Sequence, residues 1–188
     1  MSTKIKFGSE KAAETEKFIP ECVSLARKSD CNESNYGAVI VYEGKVVGSG
    51  YNHIPEVLAG EYTCKACPRR NVELHGGVGF ELCVTIHAEE AAIQDFYARN
   101  GFNKELLSKS TMIVERLNKN GELSVFNSEF VPYCTKCAGE VYKAGLKEVI
   151  YHRSDGFMSF SPKELVLDSV ASLATNWRRQ ISEFTKKD

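Results

Sequence analysis

No apolar run in this 188-residue sequence approaches the roughly 18 residues that a membrane-spanning helix needs. Residues 1–17 are polar and charged and hold no apolar stretch of the signal-peptide kind. An excess of charge is missing as well. Lysine and arginine number 24 against 25 aspartates and glutamates, which leaves a net charge of −1. Such a balance gives no electrostatic footprint for long nucleic acid, so a small-molecule partner is expected rather than long nucleic acid, and no membrane. The expected compartment is the cytoplasm. Proline is scarce at 5 residues, and no internal repeat, low-complexity tract or domain-length linker interrupts the chain, so one domain over 1–188 is expected. Cysteine is the exception to this ordinary composition. Seven is an odd count, and in a reducing compartment thiols serve metals or packing before disulfides.

Periodicity divides the chain into alternating elements. Residues 1–11 read as a loose lead-in. A helical face over 12–28 carries Phe18, Ile19, Cys22, Val23, Leu25 and Ala26, with Pro20 either opening the main helix or kinking a longer one. Residues 36–42 and 45–51 are β-rich and joined at Glu43-Gly44, a hairpin. Asn52 follows at the end of the second strand, as a turn residue or as a polar group facing a pocket. A long polar loop runs from 53 to 82. A helix over 87–99 stopped by Gly101 comes next, then strands at 111–115 and 123–126. A helical run over 138–144 ends at Gly145, and 147–151 is a further strand. Ser161-Pro162-Lys163-Glu164 has the pattern of a capping box and launches a terminal helix, with Leu165, Leu173, Trp177, Ile181 and Phe184 at the buried positions.

Two short motifs carry chemistry. His87-Ala88-Glu89 opens one helix, and Cys134-x-x-Cys137 leads into another. One imidazole and two thiolates leave a zinc ion with an open fourth position for water, the ligand set of a catalytic rather than a structural site. Zinc lowers the pKa of that water, and Glu89, two residues beyond His87, is suited to carry its proton without ligating the metal. Glu90 points elsewhere on the helix and reads as solvated. The loop offers a second set of ligands: Cys64-x-x-Cys67 and Cys83 as thiolates of a structural zinc, with His75 or His53 as the fourth. Arg69 and Arg70 are candidates for a phosphate contact, or else a surface pair.

His87-Ala88-Glu89 with Pro132 and Cys134-x-x-Cys137 resembles the zinc-dependent cytidine and deoxycytidylate deaminases, whose signature is H-x-E…P-C-x-x-C. The resemblance runs over about 18–152, with 153–188 a C-terminal helical extension. The cysteine-rich insertion 64–83 is similar to that of the deoxycytidylate branch. It implies an α/β fold of three α-β-α layers, a mixed central sheet of about five strands, and helices on both faces. It implies hydrolytic deamination of a base, most readily dCMP to dUMP, with Glu89 as proton shuttle and His87, Cys134 and Cys137 as metal ligands. It also implies a homo-oligomer, with a second zinc in some members. Asn52 and backbone groups near Ala88 are the substrate contacts it points to, and Tyr133 is a further candidate at the pocket wall. Tyr133 stands between Pro132 and Cys134, where the family has the two adjacent, and 112–130 is longer than its counterpart. Another base, a nucleoside or a base in RNA is the alternative substrate. A zinc-ribbon-like binding module made by the two Cys-x-x-Cys pairs is the non-catalytic alternative.

Overall fold

The structure, a computed structural model, describes residues 2–31, 34–58, 60, 79, 82–126 and 134–184. Its strands are β1 (Thr3–Ile5), β2 (Asn35–Tyr42), β3 (Lys45–Tyr51), β4 (Thr111–Leu117), β5 (Glu148–Arg153) and β6 (Gly156–Phe160). Its helices are α1 (Glu10–Glu16), α2 (Ile19–Ala26), α3 (Ala88–Asn100), α4 (Lys104–Lys109), α5 (Thr135–Ala144) and α6 (Pro162–Phe184). The strands form a single mixed sheet in the order β1-β6-β5-β4-β2-β3, with β4 and β5 its parallel pair and the other pairs antiparallel. The chain crosses from β4 to β5 through α5, the connection a parallel pair requires.

Alternation along the central strands fixes the layers. Ala38 and Ile40, Met112 and Val114, and Val149 and Tyr151 point to one face and pack with α3, α5 and the start of α6. Val39, Ile113 and Ile150 point to the other and pack with Ala12 of α1 and Cys22 of α2. Strands buried on both faces in this way read as continuous apolar runs. Cys22 is fully buried with its thiol 3.5 Å from the Ile113 carbonyl, a packing cysteine as expected. No helix among the described residues is long and apolar enough to cross a membrane.

The expected mixed sheet of about five strands is present, with six. Other expectations need correction. The lead-in holds β1, paired with β6 at Thr3↔Ser159 and Ile5↔Phe157, and residues 156–160, expected within a helical extension, are that β6. The expected strand over 123–126 is reduced to two isolated bridges, Leu117↔Leu123 and Phe126↔Arg153. The helical face over 12–28 is carried by two helices, and Pro20 opens the second in its first turn, one of the two arrangements expected of it. Trp177, expected at a buried position, is 39% exposed. It shares with Leu167 and Val170 an outer strip of α6, where helical period marks a face but supplies nothing to cover it.

Candidate active site

The site is built where two helices start. Helix α3 is held against β3 by side-chain to backbone bonds. Asp95 accepts from the Ser49 amide at 2.7 Å, and Asn100 donates to the Val47 carbonyl at 2.8 Å. The two backbones approach so closely that a Cβ on Gly50 would lie 2.4 Å from the Ala92 nitrogen, so only glycine fits. Just upstream, His53 and Ile86 exchange backbone hydrogen bonds at 3.1 and 2.9 Å, which fixes the chain entering His87. Helix α5 is tied to α3 by Lys136, whose ammonium lies 2.9 Å from Glu90. Glu90 is therefore a partner across the helix pair rather than the solvated residue its position suggests.

His87 is the N-cap of α3, and Cys134 is the N-cap of α5. The ligand atoms of His87, Cys134 and Cys137 all lie within 4.8 Å of one another. His87 Nδ1 and Cys137 Sγ are 3.0 Å apart. The electrostatics of this triad invite a cation. Hydrogen bonding from Cys137 holds the Cys134 thiol below its usual range against the opposing effect of burial, with His87 adding to it. The second proton is retained on Cys137, held up by that same pairing, by burial and by Glu89. Burial opposes a charge on His87, but Cys134 and Cys83 overcome it and raise the imidazole to about 10. A pocket that draws a proton onto a buried imidazole between thiols suits a dication, and the donor set is one zinc accepts.

Glu89 is buried, 6% exposed, in the first turn of α3 beside this triad. Burial raises its carboxyl above the ordinary value, partly offset by His87. The Tyr151 hydroxyl donates to Glu89 Oε1 at 3.5 Å, a long bond. Ala88 is fully buried at the head of the helix. Cys83 adjoins the triad: its thiol hydrogen-bonds His87 and lies 3.0 Å from the Thr85 hydroxyl, and these outweigh burial to bring it to about 7. Asn52 is 5% exposed and bridges backbone groups, accepting from the Tyr36 amide at 2.7 Å and donating to the Ser34 carbonyl at 2.9 Å. It braces the end of the hairpin. His53 directs Nδ1 at the Tyr51 carbonyl, 2.9 Å away. Cys64, Cys67, His75, Arg69, Arg70, Pro132 and Tyr133 lie outside the described residues.

Residues that the motif reading passed over line the same face. Tyr36 of β2 stands opposite Arg116 of β4, and Phe126 and Tyr151 stand beside them. The signal was present in the strand alternation, which puts Arg116 on the side of Met112 and Val114, but an arginine at the end of a strand is ordinarily a solvated edge residue.

The sequence profile of the cytidine and deoxycytidylate deaminase zinc-binding region matches residues 12–153. The chain belongs to this family, and it is a zinc-binding deaminase by class. It is 31% identical over 141 residues to the deoxycytidylate deaminase of Mycobacterium phage D29, spanning 72% of this chain and 91% of the phage protein. It is 29% identical over 140 residues to the deoxycytidylate deaminase of Schizosaccharomyces pombe, a match covering 73% of this chain and 36% of the yeast protein. Among solved structures, the apo dCMP deaminase of cyanophage S-TIM5 aligns with a TM-score of 0.45 at 18% identity, over 72% of this chain and 79% of that one.

Proposed function

We propose that this chain hydrolyses the exocyclic amine of deoxycytidylate, giving deoxyuridylate and ammonia. The observation that carries the reading is the meeting of His87, Cys134 and Cys137 within 4.8 Å, with buried Glu89 in the adjoining helical turn. What supports the nucleotide is that the phage and yeast relatives are both deoxycytidylate deaminases.

His87, Cys134 and Cys137 would hold the zinc ion, which when bound supplies a Lewis acid that makes water nucleophilic near neutral pH. Glu89 takes a proton from the attacking water at its carboxylate and delivers it to the ring nitrogen beside the amine-bearing carbon. The water oxygen becomes the carbonyl, and Glu89 passes the second proton to the departing amine. Tyr151 orients the carboxylate through its hydroxyl. The helix starts at Ala88 and Cys134 present backbone N–H groups that suit the base. Asn52, Tyr133, Arg69 and Arg70 belong to the proposal as substrate contacts. A second zinc on Cys64, Cys67, Cys83 and His75, and self-association, belong to it too; zinc content per chain and sedimentation test these.

Ammonia release from cytidine, deoxycytidine, their monophosphates, and adenine and guanine analogues tests the substrate. Deoxycytidylate is expected to turn over fastest. Turnover of purines alone, or of none of the panel by zinc-loaded protein, would sink the reading. Glu89→Ala is expected to keep its zinc and lose ammonia release. A ribbon-like binding module would instead hold one zinc on Cys64, Cys67, Cys134 and Cys137 and be indifferent to Glu89.

A further inference from the structure

Strand pairing places Arg116 of β4 directly opposite Tyr36 of β2, on the sheet face that also carries Tyr151 and faces α3. Its guanidinium carbon lies 5.9 Å from the centre of the Tyr36 ring and 5.8 Å from that of Phe126. Phe126 in turn meets Tyr151 edge to face with ring centres 6.3 Å apart, and the Tyr151 hydroxyl reaches Glu89. A continuous line of side chains thus runs from the cation to the proton carrier. Tyr36 belongs to the same neighbourhood from the other side, since Arg116, Glu89 and Cys137 all act on its hydroxyl.

The cation is unbalanced. Among the described residues no carboxylate lies within ion-pair distance of Arg116, and its Nε is buried without a hydrogen-bond partner. The neighbouring carboxylate of β4, Glu115, points to the opposite face and pairs with His152 at 3.3 Å. Aromatic faces stabilise a guanidinium, but they offer none of the in-plane acceptors that its N–H groups require. A partly buried arginine set against two rings, its Nε without an acceptor among the described residues, is prepared for an anion. In a nucleotide the reacting base and the phosphate are at opposite ends, so a phosphate contact belongs several side chains from Glu89 rather than beside it.

We propose that Arg116, fixed between Tyr36 and Phe126, binds the 5′-phosphate of the nucleotide substrate and so sets the preference for a nucleoside monophosphate over the free nucleoside. This rests on the deaminase reading above and names the group that would give it its substrate class. It adds a strand residue to the phosphate contacts proposed for Arg69 and Arg70.

The test compares wild type, R116Q and R116K, zinc-loaded, in two measurements. In steady state, R116Q is expected to lower kcat/KM for deoxycytidylate by about 10- to 100-fold, mostly through KM, and to leave deoxycytidine within about twofold; R116K falls between. In equilibrium titration, deoxyuridine monophosphate is expected to bind wild type more tightly than deoxyuridine does, with that ratio falling about tenfold or more in R116Q. Equal losses on nucleotide and nucleoside would mark Arg116 as structural and overturn the proposal, as would an unchanged ratio in both measurements. A wild type that deaminates no cytosine compound would sink the reading of the reaction. The titration would still decide Arg116: loss of the ratio in R116Q supports it, and an unchanged ratio overturns it.

Discussion

The helix starts of this molecule are of two kinds. Ser9 accepts from the Ala12 amide at the head of α1, Asn103 accepts from the Leu106 amide at the head of α4, and Ser161 shares a reciprocal capping box with Glu164 at the head of α6. At α3 and α5 the cap positions are His87 and Cys134, and neither side chain makes a capping hydrogen bond. Helix α2 also lacks one, but it enters through Pro20, which has no N–H to satisfy. A Ser, Thr, Asn or Asp cap contributes about 1 kcal/mol relative to a residue that cannot accept. Apart from α2, the starts that forgo it are the two that carry the candidate metal ligands. They also place the positive ends of two helix dipoles at the site, where thiolates and an anionic ligand are favoured. What the helix loses locally, the site gains.

Removing the group that only chemistry requires should give the largest effect. Glu89→Gln is expected to lower kcat by about 10² to 10⁴-fold while the zinc content and the unfolding midpoint stay close to wild type. Loss of zinc in this variant, measured by metal analysis after dialysis, would show Glu89 to be part of the metal-binding set and would break the division.

The approach of α3 to β3 comes next. Gly50→Ala puts a Cβ 2.4 Å from the Ala92 nitrogen and 2.7 Å from the Ala91 side chain. Overpacking of this order costs about 1–3 kcal/mol, and here the helix that must shift is the one that presents His87 and Glu89. Activity is expected to fall further than stability does. A loss confined to the denaturation midpoint would mean that α3 moves without disturbing the site.

A direct comparison of the two kinds of cap has a smaller signature. Ser161→Ala is expected to lower stability by about 1 kcal/mol and leave ammonia release unchanged. Cys134→Ser is expected to abolish zinc binding, yet with chelator present it supplies α5 with a hydroxyl cap. The metal-free variant should then unfold about 0.5–1 kcal/mol later than metal-free wild type. A metal-free Cys134→Ser protein that is less stable than metal-free wild type would show that Cys134 packs, rather than merely ligates, and the contrast would fail.

Short-range signals in the sequence mark the candidate site and the helices that carry it. His87, Glu89, Cys134 and Cys137 are identified by residue type and short spacing, and the helices that carry them are bounded by glycines at 101 and 145 as expected. The Glu43-Gly44 turn was legible for the same reason, although its form, with φ of 46° at Glu43 and 74° at Gly44, is the tight hairpin type that disfavours a glutamate. What escaped depends on partners far away in sequence. Strand β1 is three residues long and is a strand because Thr3 meets Ser159 and Ile5 meets Phe157. The orientation of Arg116 requires the register Tyr36↔Arg116, which no window around position 116 contains. The exposure of Trp177 depends on there being nothing in the described fold to cover it.

The division between satisfied and unsatisfied groups extends to the buried carboxylates, and there it has a pH signature. Glu89 accepts a long hydrogen bond from Tyr151 and another from the Cys137 thiol, yet burial dominates it. Glu148 at the start of β5 is instead saturated. Lys11 donates to it at 2.6 Å, Thr111 at 3.0 Å, and Ser159 through a short bond to the same oxygen as Lys11. Burial pushes the Glu148 carboxyl up, but these donors outweigh it and hold the group below its ordinary value of 4.5. A carboxyl more acidic in the folded than in the unfolded chain stabilises the fold when ionised. Its contribution is therefore complete above about pH 4.5 and is lost as pH falls through the lower folded value. Glu148→Gln is expected to flatten the acid limb of the urea-midpoint curve below that pH. Because Lys11 is 47% exposed and its pairing is screened, the loss at neutral pH should stay under about 1 kcal/mol. Thr111, Ser159 and Lys11 come from β4, β6 and α1, so the variant should also loosen the N-terminal segment, visible as faster amide exchange in β1 and α1 than in α3. An acid limb that keeps its slope in the variant would mean that Glu148 is held by packing alone, and saturation of its oxygens would then have no energetic meaning.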